Sequence, residues 1–269
     1  MDDAVPFVDA RLADGSRVHA VLGTLAAPGT CISLRVPAGR TFTLEDCVRT
    51  GSLTPGGAQL LRRLIHAKLS FLISGGTGSG KTTLLSALLA LVQPRERIVV
   101  VEDSRELDPP HPHVVRMEGR PANAERAGAV TLTDLVRQSL RMRPDRLVVG
   151  EVRGGEIADL LAAMNTGHEG GCGTVHANSA ADVPARLEAL GALGGLTRDA
   201  LHAQVASALN AVVHIGRGPG GRRRVTELSV FVRDQTTGLS RTECALAFDD
   251  AGGTQRGPGC VQLERLLNR

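Results

Sequence analysis

One octapeptide, Gly75-Gly-Thr-Gly-Ser-Gly80-Lys81-Thr82, limits the fold of this chain more than any other stretch. It fits the pattern G-x-x-x-x-G-K-[ST], and its flanks fit as well. The apolar run 69–74 before it reads as a short strand. After it, Leu84, Leu85, Leu88, Leu89 and Val92 fall at helical spacing. Strand, glycine loop and helix in that order turn backbone N–H groups inward around phosphate oxygens. The helix N-terminus adds its partial positive charge. Gly75, Gly76, Thr77, Gly78, Ser79, Gly80, Lys81, Thr82 and Thr83 are therefore the candidate nucleotide-binding residues. Lys81 is expected on the β- and γ-phosphates, and the Thr82 hydroxyl on Mg²⁺.

Composition sharpens the reading of Lys81. Of 31 basic residues only Lys68 and Lys81 are lysine, and the rest are arginine. A thin stem ending in a point charge fits inside a backbone cradle, whereas the planar arginine fork does not. Lys68 reads as a solvated charge at a strand end. The length of 269 residues suits one large domain, or one with a small appendage. Net charge is +3 with acids and bases interspersed, and five Phe are the only aromatics. Both features speak against a nucleic-acid partner, which needs basic patches and stacking platforms. The five cysteines show no CxxC spacing, so a zinc knuckle or disulfide framework is not expected, and their odd count fits a reducing compartment. The N-terminus carries acids where a signal peptide carries bases. The longest apolar stretch, 84–92, falls far short of the ~20 residues that span a bilayer. A soluble cytoplasmic protein is the expectation.

Residues 1–50 read as short strands and turns, with Asp14-Gly15 a turn signal and Thr43 a helix start. From residue 51 a helix through Leu61 and Leu64 leads into repeated strand, loop and helix. Buried strands are expected at 98–101 and 147–149, late strands joined by a loop at 212–215 and 225–232, and helices around 132–140, 157–164, 182–191 and 201–209. This alternation predicts an α/β fold with a mainly parallel sheet. The Gly-rich segment 249–259 reads as a loose tail.

Two of the buried strands end in acids, at Glu102-Asp103 and at Glu151. In P-loop enzymes such acids lie beside the phosphates, holding Mg²⁺ and polarising the attacking water. A typical Walker B strand ends in Asp-Glu. Here the Asp position is Gly150, so Glu151 is expected to act alone, through water in the metal shell. His176 lies in a Gly-rich segment running into a strand; it fits a hydrogen-bonded structural role, or sensing of the γ-phosphate and positioning of water. Cys172 reads as packing filler. His168, His176 and Cys172 lack a further nearby ligand for a metal site. Arg222-Arg223-Arg224 is the one basic cluster and reads as a solvated hairpin loop.

Four segments taken together, GGTGSGKTT, VVVEDSREL, RPDRLVVGEVRGGE and MNTGHEGGCGTVHANS, resemble the secretion ATPase superfamily of type II/IV secretion and type IV pilus motors. The likeness is strongest to the Flp/Tad pilus assembly branch, with its conjugal-transfer-associated members. The resemblance implies a RecA-like P-loop core, here 51–269, preceded by a truncated N-terminal α+β segment over 1–50. It implies a homo-hexameric ring that hydrolyses ATP with Mg²⁺ at the cytoplasmic side of the inner membrane, against polytopic platform proteins. Glu102 matches the family's Asp box, Glu151 its atypical Walker B acid and His176 its His box. Arg17 and Arg35 match segments whose arginines reach a neighbouring nucleotide, which makes them candidates for trans or interdomain γ-phosphate contacts. The expected activity is ATP hydrolysis with Glu102 as base and Glu151 on the metal side. A helicase-like motor and a low-turnover nucleotide-binding regulator are the alternatives.

Overall fold

A computed structural model describes residues 2–36, 41–123, 127–249 and 252–269. The chain divides into two compact units, Met1–Arg40 and Thr41–Arg269.

The first unit is an antiparallel sheet of β1 (Phe7–Arg11), β2 (Arg17–Val21) and β3 (Cys31–Arg35), in that order. Asp14 builds the β1–β2 turn by accepting the Ser16 N–H at 2.8 Å, with Gly15 at φ +85°. Directly opposed residues share a face. Arg11 stands opposite Arg17, and Arg17 opposite Arg35, so three arginines form one cross-strand row.

The second unit begins with α1 (Leu44–Arg49) and α2 (Pro55–His66), followed by β4 (Phe71–Gly75), α3 (Lys81–Leu89), β5 (Ile98–Glu102) and β6 (Val114–Glu118). Next come α4 (Leu132–Ser139), β7 (Arg146–Val152), α5 (Glu156–Met164), β8 (Cys172–Val175), α6 (Val183–Leu193) and α7 (Arg198–Ala208). The chain closes with β9 (Ala211–Arg217), β10 (Arg223–Arg233), β11 (Ser240–Phe248), β12 (Thr254–Arg256) and α8 (Cys260–Leu267). Helix starts follow their local chemistry. Thr43 and Thr131 each make a capping box with an aspartate three residues on, and Pro55 occupies the first turn of α2 after the Thr54 cap.

The strands form one sheet in the order β12-β11-β10-β9-β4-β8-β7-β5-β6. The pairs from β9 through β6 are parallel, and those from β9 through β12 antiparallel. The predicted α/β class with a mainly parallel sheet is therefore what the chain forms. Strand pleating sorts the core into two layers. Phe71, Ile73, Ile98, Val100, Val148 and Val213 point to the side of α1, α2, α3 and α8. Leu72, Val101, Leu147, Val149 and Val212 point to the side of α4 through α7. The segment expected to be loose instead contains β12, which pairs with β11 from Leu246↔Arg256 to Phe248↔Thr254. Residues 250 and 251 of it lie outside the described residues.

Lys68 also departs from its expectation. It ends α2 in a left-handed conformation, φ +52°, where glycine is the usual residue. The Leu69 N–H bonds the Leu64 carbonyl and the Lys68 N–H bonds the Ile65 carbonyl, the two closures of a Schellman motif. Lysine is held there because its ammonium reaches Glu96, 3.2 Å away. Glu96 is buried and also receives Arg146 Nε at 3.0 Å. Lys68, itself partly exposed, thus joins the buried Glu96–Arg146 pair rather than standing as an isolated charge.

Candidate active site

β4 delivers the chain to Gly75, whose φ is +153°. A Cβ there would lie 2.5 Å from the Ile215 carbonyl oxygen on β9, so only glycine fits this backbone approach. Gly78 and Gly80 also adopt positive φ, and Gly80 caps α3 with no side-chain bond. The first-turn N–H groups of α3 therefore stay available for an anion. Lys81 is buried, and its Nζ donates to the carbonyls of Gly75 at 2.9 Å and Gly76 at 3.0 Å. Burial lowers its pKa, and the nearby Glu151 partly restores it. Thr82 is half-buried and Thr83 exposed, one and two residues along the same turn. Turned-in amides, a central ammonium and a following hydroxyl form the donor set that a Mg²⁺-bound nucleotide needs, so the residues present fit that ligand.

The next two expected residues converge on Lys81 from neighbouring strands. His176, just beyond β8, has Nε2 3.4 Å from Lys81 Nζ and 2.5 Å from Glu151 Oε1. An ammonium can only donate, so Lys81 donates to Nε2 of the imidazole. Glu151 Oε1 is then a close electrostatic neighbour of the ring, with no hydrogen-bond partner of its own among the described residues. Burial, followed by the Lys81 charge, lowers the His176 pKa and favours this neutral ring. Arg153 Nη2 donates to the other oxygen of Glu151 at 2.5 Å. The Thr174 hydroxyl donates to the Gly150 carbonyl at 2.7 Å, tying β8 to the end of β7.

Glu102 explains the missing aspartate of the Walker B strand. A Cβ on Gly150 would lie 2.5 Å from Glu102 Cγ and 2.9 Å from its Oε1. The carboxyl group at the end of β5 occupies the space that a side chain on β7 would take. Glu102 and Glu151, the two strand-end acids named from the sequence, stand on adjacent strands and share this end of the sheet. Glu102 is buried and accepts the N–H groups of Glu106 and Leu107, each at 3.1 Å. Burial outweighs these bonds and raises its pKa to about 7. Gly150→Ala should therefore force Glu102 aside. We expect a loss of about 1–3 kcal/mol of stability, from overpacking, in chemical denaturation. Adding Glu102→Ala should restore stability in that background, and additivity of the two changes would contradict the contact.

The remaining expectations separate cleanly. Arg17 and Arg35 belong to the first unit, in the row with Arg11 described above. Cys172 is buried in β8 with its thiol pushed up to about 12, as packing filler requires. His168 Nδ1 lies 3.2 Å from the Ala163 carbonyl, and no group of His, Cys, Asp and Glu among the described residues could hold a metal by itself. In the basic cluster Arg222 and Arg223 are exposed, whereas Arg224 is buried and donates to the Phe248 carbonyl. Sequence reasoning missed Arg153, although its place two residues past Glu151 at a strand end puts it on the same face. It also missed His214, which sits opposite Ser74 on β9 with Nδ1 2.8 Å from the serine hydroxyl, and which has no local motif.

Residues 1–245 match the family described as type II/IV secretion system protein. A relative from Mycobacterium tuberculosis H37Rv, named "Putative conjugal transfer protein Rv3659c", is 55% identical over 237 residues, spanning 86% of this chain and 67% of the relative. The type IV secretion system protein PtlH homolog of Bordetella bronchiseptica is 38% identical over 252 residues, spanning 83% and 74%. Among solved structures, the VirB11 ATPase of the Brucella suis type IV secretion system superposes with a TM-score of 0.54 at 28% identity, covering 84% of this chain and 74% of that one. The pilus retraction motor PilT shares the fold at 22% identity, with a TM-score of 0.61 over 86% and 64%.

Proposed function

This chain belongs to the type II/IV secretion system protein family, and from that premise we propose that it is a Mg²⁺-dependent ATPase driving pilus assembly or protein secretion. The observation that carries the reading is the convergence of Lys81, Glu151 and His176 at the carboxyl end of the parallel strands, with Lys81 Nζ 3.4 Å and Glu151 Oε1 2.5 Å from one imidazole nitrogen. Ligands of open α/β sheets gather at that end.

In this reading the P-loop amides and Lys81 hold the β- and γ-phosphates, and Thr82 and Glu151 would hold Mg²⁺. The chemistry the ion would supply there is charge neutralisation at the phosphates. His176 is neutral, accepts from Lys81 at Nε2 and lies against Glu151, so it transmits what happens at the phosphates to β8. Glu102 is the general base, because a carboxylate with a pKa of about 7 is matched to proton transfer near neutral pH. Glu151, occupied by Arg153 and His176, is on the metal side.

The output we propose is a homo-hexameric ring at the inner membrane, working against polytopic platform proteins. Arg17 and Arg35 supply its contacts to a neighbouring γ-phosphate. No helix among the described residues is long and apolar enough to cross a membrane. Native mass measurement at micromolar concentration tests the ring. A hexamer with ATP and Mg²⁺ is expected, and a monomer under every nucleotide condition would overturn it.

A further inference from the structure

The β9–β10 hairpin folds back beside the P-loop, and a cavity of about 420 Å³ separates them. Ser79, Gly80 and Thr83 line one wall, and Ile215, Arg222 and Arg223 line the other. Arg223 is exposed, with Nη2 3.9 Å from the point where a Cβ on Gly78 would sit. Its cross-strand partner is Arg217, so two like charges face each other at the base of the hairpin. Such a pair is destabilising unless an anion is shared between them. Arg217 is tied to the hairpin through the Gly221 carbonyl at 3.3 Å, and Arg224 is turned inward to Phe248. The Arg223 side chain makes no hydrogen bond or ion pair with a described residue and faces the loop.

This arrangement is unlike a solvated hairpin. A guanidinium with no side-chain partner among the described residues lies against the loop whose backbone cradles phosphate, at the edge of the cavity, and its planar donors match phosphate oxygens. We propose that Arg223 is a further phosphate contact of the P-loop site, reaching the nucleotide from the hairpin while Lys81 reaches it from the loop. The proposal rests on the nucleotide-binding reading above and adds a cation that the P-loop pattern does not contain. It also gives the hairpin a use: nucleotide binding draws β10 toward the loop and couples the antiparallel edge of the sheet to the site.

The test is equilibrium binding of a non-hydrolysable ATP analogue and of inorganic tripolyphosphate, with Mg²⁺, to the full chain and to single variants. Arg223→Ala is expected to weaken both ligands by roughly ten- to a hundred-fold, the scale of a lost charge-assisted hydrogen bond. Arg223→Lys should recover part of the loss. Arg222→Ala removes the same charge from the same hairpin and should cost less than about three-fold, a screened field effect. The side chain of Arg223 is exposed and faces a like charge, so melting without ligand should not fall and the variant should fold. Equal binding by wild type and Arg223→Ala would overturn the proposal alone. A loss for the ATP analogue with none for tripolyphosphate would overturn it too, by assigning the contact to the nucleoside. An equal loss in Arg222→Ala would reduce it to a general field. Failure of the wild type to bind either ligand would instead overturn the nucleotide reading itself.

Discussion

Lys81→Ala is expected to lower ATP turnover by at least ~10²-fold, the scale of removing one preorganised charge from a developing transition state. Nucleotide binding should weaken as well. The size of the effect follows from where the amine sits. Its Nζ is held by two loop carbonyls, at 2.9 and 3.0 Å, inside a site where burial already lowers its pKa. A charge held in place away from bulk water is screened little and costs no reorganisation when negative charge develops. Lys81→Arg should be nearly as damaging, because the guanidinium is too broad for a loop whose Gly75 touches the Ile215 carbonyl. Steady-state phosphate release checks both variants, and near wild-type activity in Lys81→Arg would contradict the steric part.

The second large effect belongs to Glu102. Glu102→Gln keeps the shape that fills the space beside Gly150 and can still accept from Leu107, but it cannot take a proton. Turnover is expected to fall ~10²–10⁴-fold with ATP binding retained. The pH profile makes the assignment specific. Burial raises the Glu102 pKa to about 7, so the wild-type base is largely protonated at pH 6 and largely free at pH 8. Turnover should therefore rise with pH through about 7, and the residual activity of Glu102→Gln should lack that limb. Stability runs the other way. Between the ordinary value of 4.5 and about 7 the folded chain keeps a proton that the unfolded chain releases, so stability falls as pH rises across that window. The glutamine variant should lose this dependence in denaturant titrations. A profile rising identically in both proteins would assign the limb to another group.

The parts of this site that could be read from sequence are those whose chemistry is local. The P-loop carries its own spacing, and its strand and helix flanks have strong periodicity, so Gly75 to Thr83 and Lys81 stand out. Glu102, Glu151 and His176 follow from strand ends, because parallel strands deliver their carboxyl ends to one edge. What could not be read depends on contacts between distant segments. Gly150 looks like a defect in a Walker B strand until Glu102 is seen to fill its place from β5. Lys68 looks solvated until the chain brings Glu96 and Arg146 beneath it. Arg222, Arg223 and Arg224 are one basic run in sequence, yet β-strand alternation sends Arg224 into the interior and leaves Arg223 facing the loop. β12 and α8 escaped notice because a glycine-rich stretch precedes them, and three-residue strands such as Thr254–Arg256 have too little pattern to detect.

The central claim is that this chain turns ATP over through the P-loop and the two strand-end glutamates. The most direct measurement is phosphate release from Mg²⁺-ATP by the wild-type chain beside Lys81→Ala and Glu151→Gln, at matched concentration and with folding confirmed by melting. The account predicts multiple turnovers by the wild type and a fall of at least ~10²-fold in each variant. Unchanged phosphate release in both variants would contradict it.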